Sequence, residues 1–184
     1  MPMDPRSDDD LIERHLAGDR TAFEAIVRRH GPALQAYLVA RSGQRASAED
    51  AFQDTFLAVL DGLPGYESRG CFRGWLFGVA RRRTADLRRA ASRRREAPLG
   101  DGVSGVEPPP EVRAQRAEDA RRLGEAVERL SPKLRETYLL RTAANLTFRE
   151  IAEALGCPLG TALARMRYAL DRLRAELSEE GVVR

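Results

Sequence analysis

Apolar residues recur at intervals of three and four through the first half of the chain: Leu11, Ile12 and Leu16, then Phe23, Ile26 and Val27, then Leu34, Tyr37 and Leu38. At 3.6 residues per turn such positions share one face, so the pattern predicts amphipathic helices from Asp8 to about Ala91. Strand-like alternation is absent throughout. Gly18-Asp19 predicts a helix stop followed by an N-cap, and Gly31-Pro32 a break or kink with proline in a first-turn position. Ser47, with Asp50 three residues on, resembles a capping box opening a helix that carries Phe52, Phe56, Val59 and Leu60 and ends by Gly62-Leu63-Pro64-Gly65. After a loop at 66–70, a last helix begins near Cys71 and runs through Trp75, Leu76, Val79 and Leu87.

Residues 92–112 change character. Arg93, Arg94 and Arg95 are followed by Gly100, Gly102 and Gly105 and by three prolines at 108–110, a composition that builds no core and predicts a flexible linker. Ser104 lies in a glycine-rich stretch but lacks the G-x-S-x-G spacing and flanking strand of a serine nucleophile, and is read as loop. Beyond it, Leu123, Val127 and Leu130 mark one helix, and Ser131-Pro132 caps a second that carries Leu134, Tyr138 and Leu139. Thr147 and Glu150 form a capping box for a short helix with Ile151, Ala152 and Leu155, which Gly156 ends. The expected fold is all-α, with two small helical domains, 1–91 and 113–184, joined by the linker 92–112.

Residues 147–168 have the grammar of a helix-turn-helix: a short capped helix, the turn Gly156-Cys157-Pro158-Leu159, and a longer helix from about Gly160. Two helices crossing steeply need small residues where they touch and glycine where the chain turns; Ala152, Ala162 and Gly156 suit these roles. The start of the second helix would enter a major groove, with Arg165 and Arg167 reaching phosphates or guanine edges. Leu159, Leu163, Met166, Leu170, Leu173 and Leu177, spaced 4-3-4-3-4, also read as a core stripe of a helical hairpin.

Charge adds a second candidate surface. The net charge is +3, yet residues 69–95 hold ten arginines against one acid, Asp86. A merely solvated helix would mix in acids for i,i+4 pairs, so this one asks for an anionic partner such as a nucleic-acid backbone. Phe72, Trp75 and Phe77 interleave with the arginines and could stack on unpaired bases, although Trp75 serves equally well as a core anchor. Cys71 and Cys157 have no ligand-type spacing, and His15 and His30 no carboxylate or cysteine constellation, so neither metal site, cofactor nor catalytic centre is expected. No apolar run could span a membrane and the acidic N-terminus is unlike a secretory signal, pointing to the cytoplasm.

Four stretches carry a resemblance: 18–24 (GDRTAFE), 48–57 (AEDAFQDTFL), 72–76 (FRGWL), and Leu130-Ser131-Pro132 followed by 147–156. In this order they resemble the extracytoplasmic-function (ECF) sigma factors of the sigma-70 family, whose two domains are called regions 2 and 4. The resemblance implies promoter-specific transcription initiation with core RNA polymerase and an anti-sigma factor as partners. It implies docking on the clamp of the largest polymerase subunit through Glu49, Asp50, Gln53 and Asp54, with Phe56 beside them. For the −10 element, melted and held as a single strand, it implies Arg69, Phe72, Arg73, Trp75, Arg81, Arg82, Arg83, Arg88 and Arg89. For the double-stranded −35 element it implies Thr161, Leu163, Ala164, Arg165, Arg167 and Tyr168. Arg82 stands where the family often has asparagine, which favours phosphate contact over base reading, and Leu163 could touch a thymine methyl or simply pack.

Overall fold

The computed structural model describes residues 4–67, 70–92 and 110–179, and the side chains of these except 85–92, 110–117 and 179. The described residues form eight helices and no strand: α1 (Asp8–Leu16), α2 (Arg20–Ser42), α3 (Arg45–Gly62), α4 (Phe72–Ser92), α5 (Pro110–Arg129), α6 (Pro132–Thr142), α7 (Phe148–Leu155) and α8 (Leu159–Glu179). A single 3-10 turn, Leu63–Gly65, follows α3. The expected all-α architecture holds: α1–α4 pack among themselves, as do α5–α8. Helices overrun both ends of the segment read as linker, α4 reaching Ser92 and α5 starting with Pro110 at its first position, whereas residues 93–109, Ser104 included, lie outside the described residues.

Two helix boundaries depart from the sequence reading. Pro32 does not end a helix but sits inside α2. A proline there forgoes one backbone hydrogen bond at a cost of about 3 kcal/mol. Burial on both sides offsets it, since Ile26, His30 and Gly31 precede the proline in the core and Leu34, Tyr37 and Leu38 follow it. Gly31 leaves room for an aromatic ring; a Cβ there would stand 3.4 Å from Phe52. The second departure is Ser47, which does not cap α3. The N-cap is Gln44, and the Ser47 hydroxyl donates to Gln44 Oε1 at 3.2 Å from inside the first turn.

Helix α1 is tied to α2 by a charged cluster. Asp8 Oδ1 accepts from Arg29 and lies 2.9 Å from His30 Nε2, while the His30 ring is 5.7 Å from that of Phe72. Burial pushes the Asp8 carboxyl up, but the His30 and Arg29 contacts outweigh it and leave its pKa lowered from 3.8. A depressed folded-state pKa stabilises the fold above the unfolded value and ceases to do so as pH falls through the folded one. Asp8→Asn should therefore cost about 1.5 kcal/mol at neutral pH and nothing well below pH 3.8, as measured by urea unfolding across that range.

The two bundles also pack against each other. The broadest helix pairing in the described structure is α4 on α7, accompanied by α2 on α6, and buried apolar residues from both bundles form one continuous core.

Candidate nucleic-acid and partner interfaces

Helix α7 begins with the expected capping box: Thr147 Oγ1 accepts from the Glu150 amide at 3.3 Å, and Glu150 Oε2 accepts from the Thr147 amide at 2.7 Å. Gly156 ends it in the left-handed region, φ 59°, where glycine has no Cβ penalty. The turn then delivers the chain into α8. Ala162, Ala169 and Leu173 are the buried seam of α8, with Met166 and Leu177 half-buried. Of the leucine stripe, Leu159, Leu163 and Leu170 are exposed; alanines hold the seam because the helices meet closely there. Leu163 at 46% exposure and Tyr168 at 54% share a free face with Arg167, whose guanidinium lies 5.3 Å from the Tyr168 ring. Thr161, Ala164 and Arg165 are half-buried at its margin, and Arg165 Nη1 donates to Cys157 Sγ at 3.7 Å.

On α3 the structure sets Glu49, Asp50, Gln53 and Asp54 together in solvent. Phe56 is not beside them. Its ring is in the core, 4.9 Å from Phe52 and 6.0 Å from Phe23, because position 56 shares the inward side with Thr55 and Val59. The apolar member of the outward stripe is Leu57, 60% exposed and one turn on from Gln53 and Asp54. Sequence reasoning missed it, although i, i+3, i+4 and i+7 from Asp50 point to it directly.

Helix α4 is divided by its neighbours. Phe72 is buried, and Tyr66, Phe72 and Trp75 form an aromatic cluster with ring centroids 5.0–5.8 Å apart; half-buried Trp75 anchors this group against Gly62. Arg73 donates to the Ala144 and Asn145 carbonyls and lies 3.7 Å from Glu150. Arg81 donates to the Ala154 carbonyl at 3.3 Å, while Arg82 and Arg83 are exposed. Arg69 and the side chains of Arg88 and Arg89 lie outside the described residues.

Comparison with known proteins gives the family. A model of sigma-70 region 2 matches residues 26–94 and one of sigma-70 region 4 matches residues 120–173. The ECF RNA polymerase sigma factor SigD of Mycobacterium tuberculosis is 34% identical, over 94% of this chain and 85% of SigD. The chain belongs to the ECF sigma factors of the sigma-70 family. A second relative of the sigma factor, ECF RNA polymerase sigma factor RpoE of Cereibacter sphaeroides, is 31% identical over 87% of this chain and 88% of its own. Among solved structures, CnrH in complex with the cytosolic domain of CnrY is similar at a TM-score of 0.74 and 25% identity, covering 96% of the sigma factor and 100% of that chain. No described helix of the sigma factor is long and apolar enough to cross a membrane.

Proposed function

We propose that this sigma factor binds core RNA polymerase in the cytoplasm and directs it to promoters by two DNA contacts, without catalytic chemistry of its own. Glu49, Asp50, Gln53 and Asp54, with Leu57, dock on the clamp of the largest subunit, and Phe56 supports them from the core. Leu163, Arg167 and Tyr168 on α8, flanked by Thr161, Ala164 and Arg165, read the −35 element as duplex. Trp75 and the arginines of α4 (73, 81, 82, 83, 88 and 89), with Arg69, melt the −10 element and hold it as a single strand, and Phe72, expected among these contacts, supports Trp75 from the core. An anti-sigma factor regulates it, as suggested by the likeness to CnrH, solved with CnrY.

One observation carries this reading: the chain presents two surfaces of opposite character, an acid-amide stripe on α3 and an arginine-bearing face on α8. The first would repel DNA and suits a basic protein surface; the second suits DNA. Purified sigma factor mixed with bacterial core polymerase should co-elute as a complex and initiate from a subset of genomic fragments. Absence of a complex would refute the reading.

Duplex binding can be tested separately. Arg165→Ala should weaken binding about equally across promoter sequences and reduce the salt slope by roughly 1, whereas Leu163→Ala should alter sequence preference. Salt titration against two unlike duplexes distinguishes these outcomes.

A further inference from the structure

The free face of α8 is apolar where a DNA-facing helix would be expected to be polar. Leu163 is 46% exposed, and the exposed Leu159 precedes it by one turn, whereas Ala162 beside it takes the buried place in the domain. Packing inside the domain therefore does not account for Leu163. Arg167 follows one turn later on the same side. Four helical residues advance about 6 Å along the axis, roughly two base-pair steps of a duplex lying alongside.

Arg167 is presented unlike the other arginines of its domain. Arg121, Arg122, Arg129 and Arg135 pair with carboxylates, and Arg141 donates to the Leu146 carbonyl. Arg167 has no carboxylate partner among the described residues, and its guanidinium lies 5.3 Å from the Tyr168 ring centroid. A ring contact occupies the face of the planar cation and leaves its N–H edge free. That edge matches the paired O6 and N7 acceptors of guanine.

Base edges meet a leucine in different ways. Against the acceptors or amino group of a purine it displaces water without replacing the lost hydrogen bonds, which costs free energy. Against the C5-methyl group of thymine it buries apolar surface on both sides. A methyl on C5 of cytosine occupies the same ring position, whereas cytosine and uracil carry only hydrogen there.

We propose that Leu163 reads the C5-methyl group of a pyrimidine while Arg167 takes a guanine within about two base pairs of it, so that duplex binding responds to cytosine methylation as well as to sequence. The proposal rests on the assignment of α8 to duplex DNA made above. Leu163 has no hydrogen-bonding group in its side chain, so its contact detects the methyl and accepts thymine and 5-methylcytosine alike. Tyr168 is a positioning residue that holds the Arg167 fork.

The full chain first selects binders from a randomised duplex library. The selected duplex is resynthesised with each thymine in turn replaced by uracil, which removes the methyl alone, and affinities are read by fluorescence anisotropy. At the thymine where uracil weakens binding, the pair is then exchanged for cytosine–guanine and for 5-methylcytosine–guanine. Loss of the methyl should weaken binding about fourfold in both comparisons, the equivalent of one buried methyl group. Both effects should vanish in Leu163→Ala and persist in Leu170→Ala, which trims another exposed leucine further along α8. Replacing the neighbouring guanine by 7-deazaguanine should cost on the order of fivefold in wild type and in Tyr168→Phe, and little in Arg167→Ala. Indifference to uracil at every thymine, equal affinity for the cytosine and 5-methylcytosine duplexes, or methyl effects of the same size in Leu163→Ala would overturn methyl reading, while the assignment of α8 to duplex DNA stands. An undiminished 7-deazaguanine effect in Arg167→Ala would overturn the guanine contact. If no duplex is selected, the assignment of α8 to duplex DNA falls, and the proposal with it.

Discussion

Asp50→Arg combined with Asp54→Arg lowers affinity for core polymerase by about a hundredfold, equivalent to about 3 kcal/mol, without unfolding the protein. The two carboxylates are exposed one turn apart on α3, so reversal turns two attractions toward a basic partner into two repulsions. Neither side chain is part of the core, so the circular dichroism spectrum and melting midpoint should stay near those of wild type. Leu57→Ala tests the apolar part of the same stripe: it weakens binding with little effect on stability, because 60% of that side chain is already in water. Titration of labelled sigma factor with core polymerase reads both effects. An affinity within threefold of wild type for the double reversal would remove α3 from the docking surface.

Phe77→Ala gives the second large effect, on stability. Phe77 is fully buried in α4 and meets the Tyr37 ring of α2 edge-on, with centroids 5.4 Å apart. Truncation loses the buried ring and leaves a cavity that α2 and α4 cannot close, at a cost of about 4 kcal/mol. Against a typical total of about 5–15 kcal/mol this is a large fraction, and the melting midpoint should fall by roughly 10 °C. Calorimetry of the variant beside Leu163→Ala, a surface truncation expected to leave the midpoint almost unchanged, separates core from face. A fall of less than 3 °C would mean that the ring contributes little to holding α2 on α4.

Much of the fold could be read from the sequence because local signals and tertiary packing agree. The box at Thr147 and Glu150, the left-handed Gly156 and the proline start at Pro132 each satisfy or replace backbone groups within a few residues, so no distant partner is needed to foresee them. Where tertiary packing overrides local preference, the reading slips. Pro32 signals a break, and only the burial on both sides explains why α2 continues. Leucines outrank alanines in any hydrophobicity count, yet Ala162 and Ala169 are fully buried with Leu173 in the α8 seam while Leu159, Leu163 and Leu170 are exposed, because the neighbouring helices decide which side of α8 is covered.

The candidate surfaces were legible to a similar degree. Glu49, Asp50, Gln53 and Asp54 emerge together because one helix face is a matter of spacing alone. Phe56 and Leu57 exchanged places, since an aromatic residue attracts attention and an exposed leucine does not. The contact between domains had only a faint trace in sequence, the glycines at 74 and 78. Their partners are some seventy residues away, and Arg41 and Glu136 are further apart still. Nothing in local periodicity announces such long-range pairs.

The alanine seam of α8 has a consequence for how proteins of this kind diversify. The residues that hold the helix in its domain, Ala162, Ala169 and Leu173, are distinct from those on its free face, Leu163, Arg167 and Tyr168. Mutations can therefore explore the outer positions without disturbing the inner ones. A duplicated copy could drift toward a new target while remaining folded at every intermediate step, its change of preference uncoupled from any change in architecture.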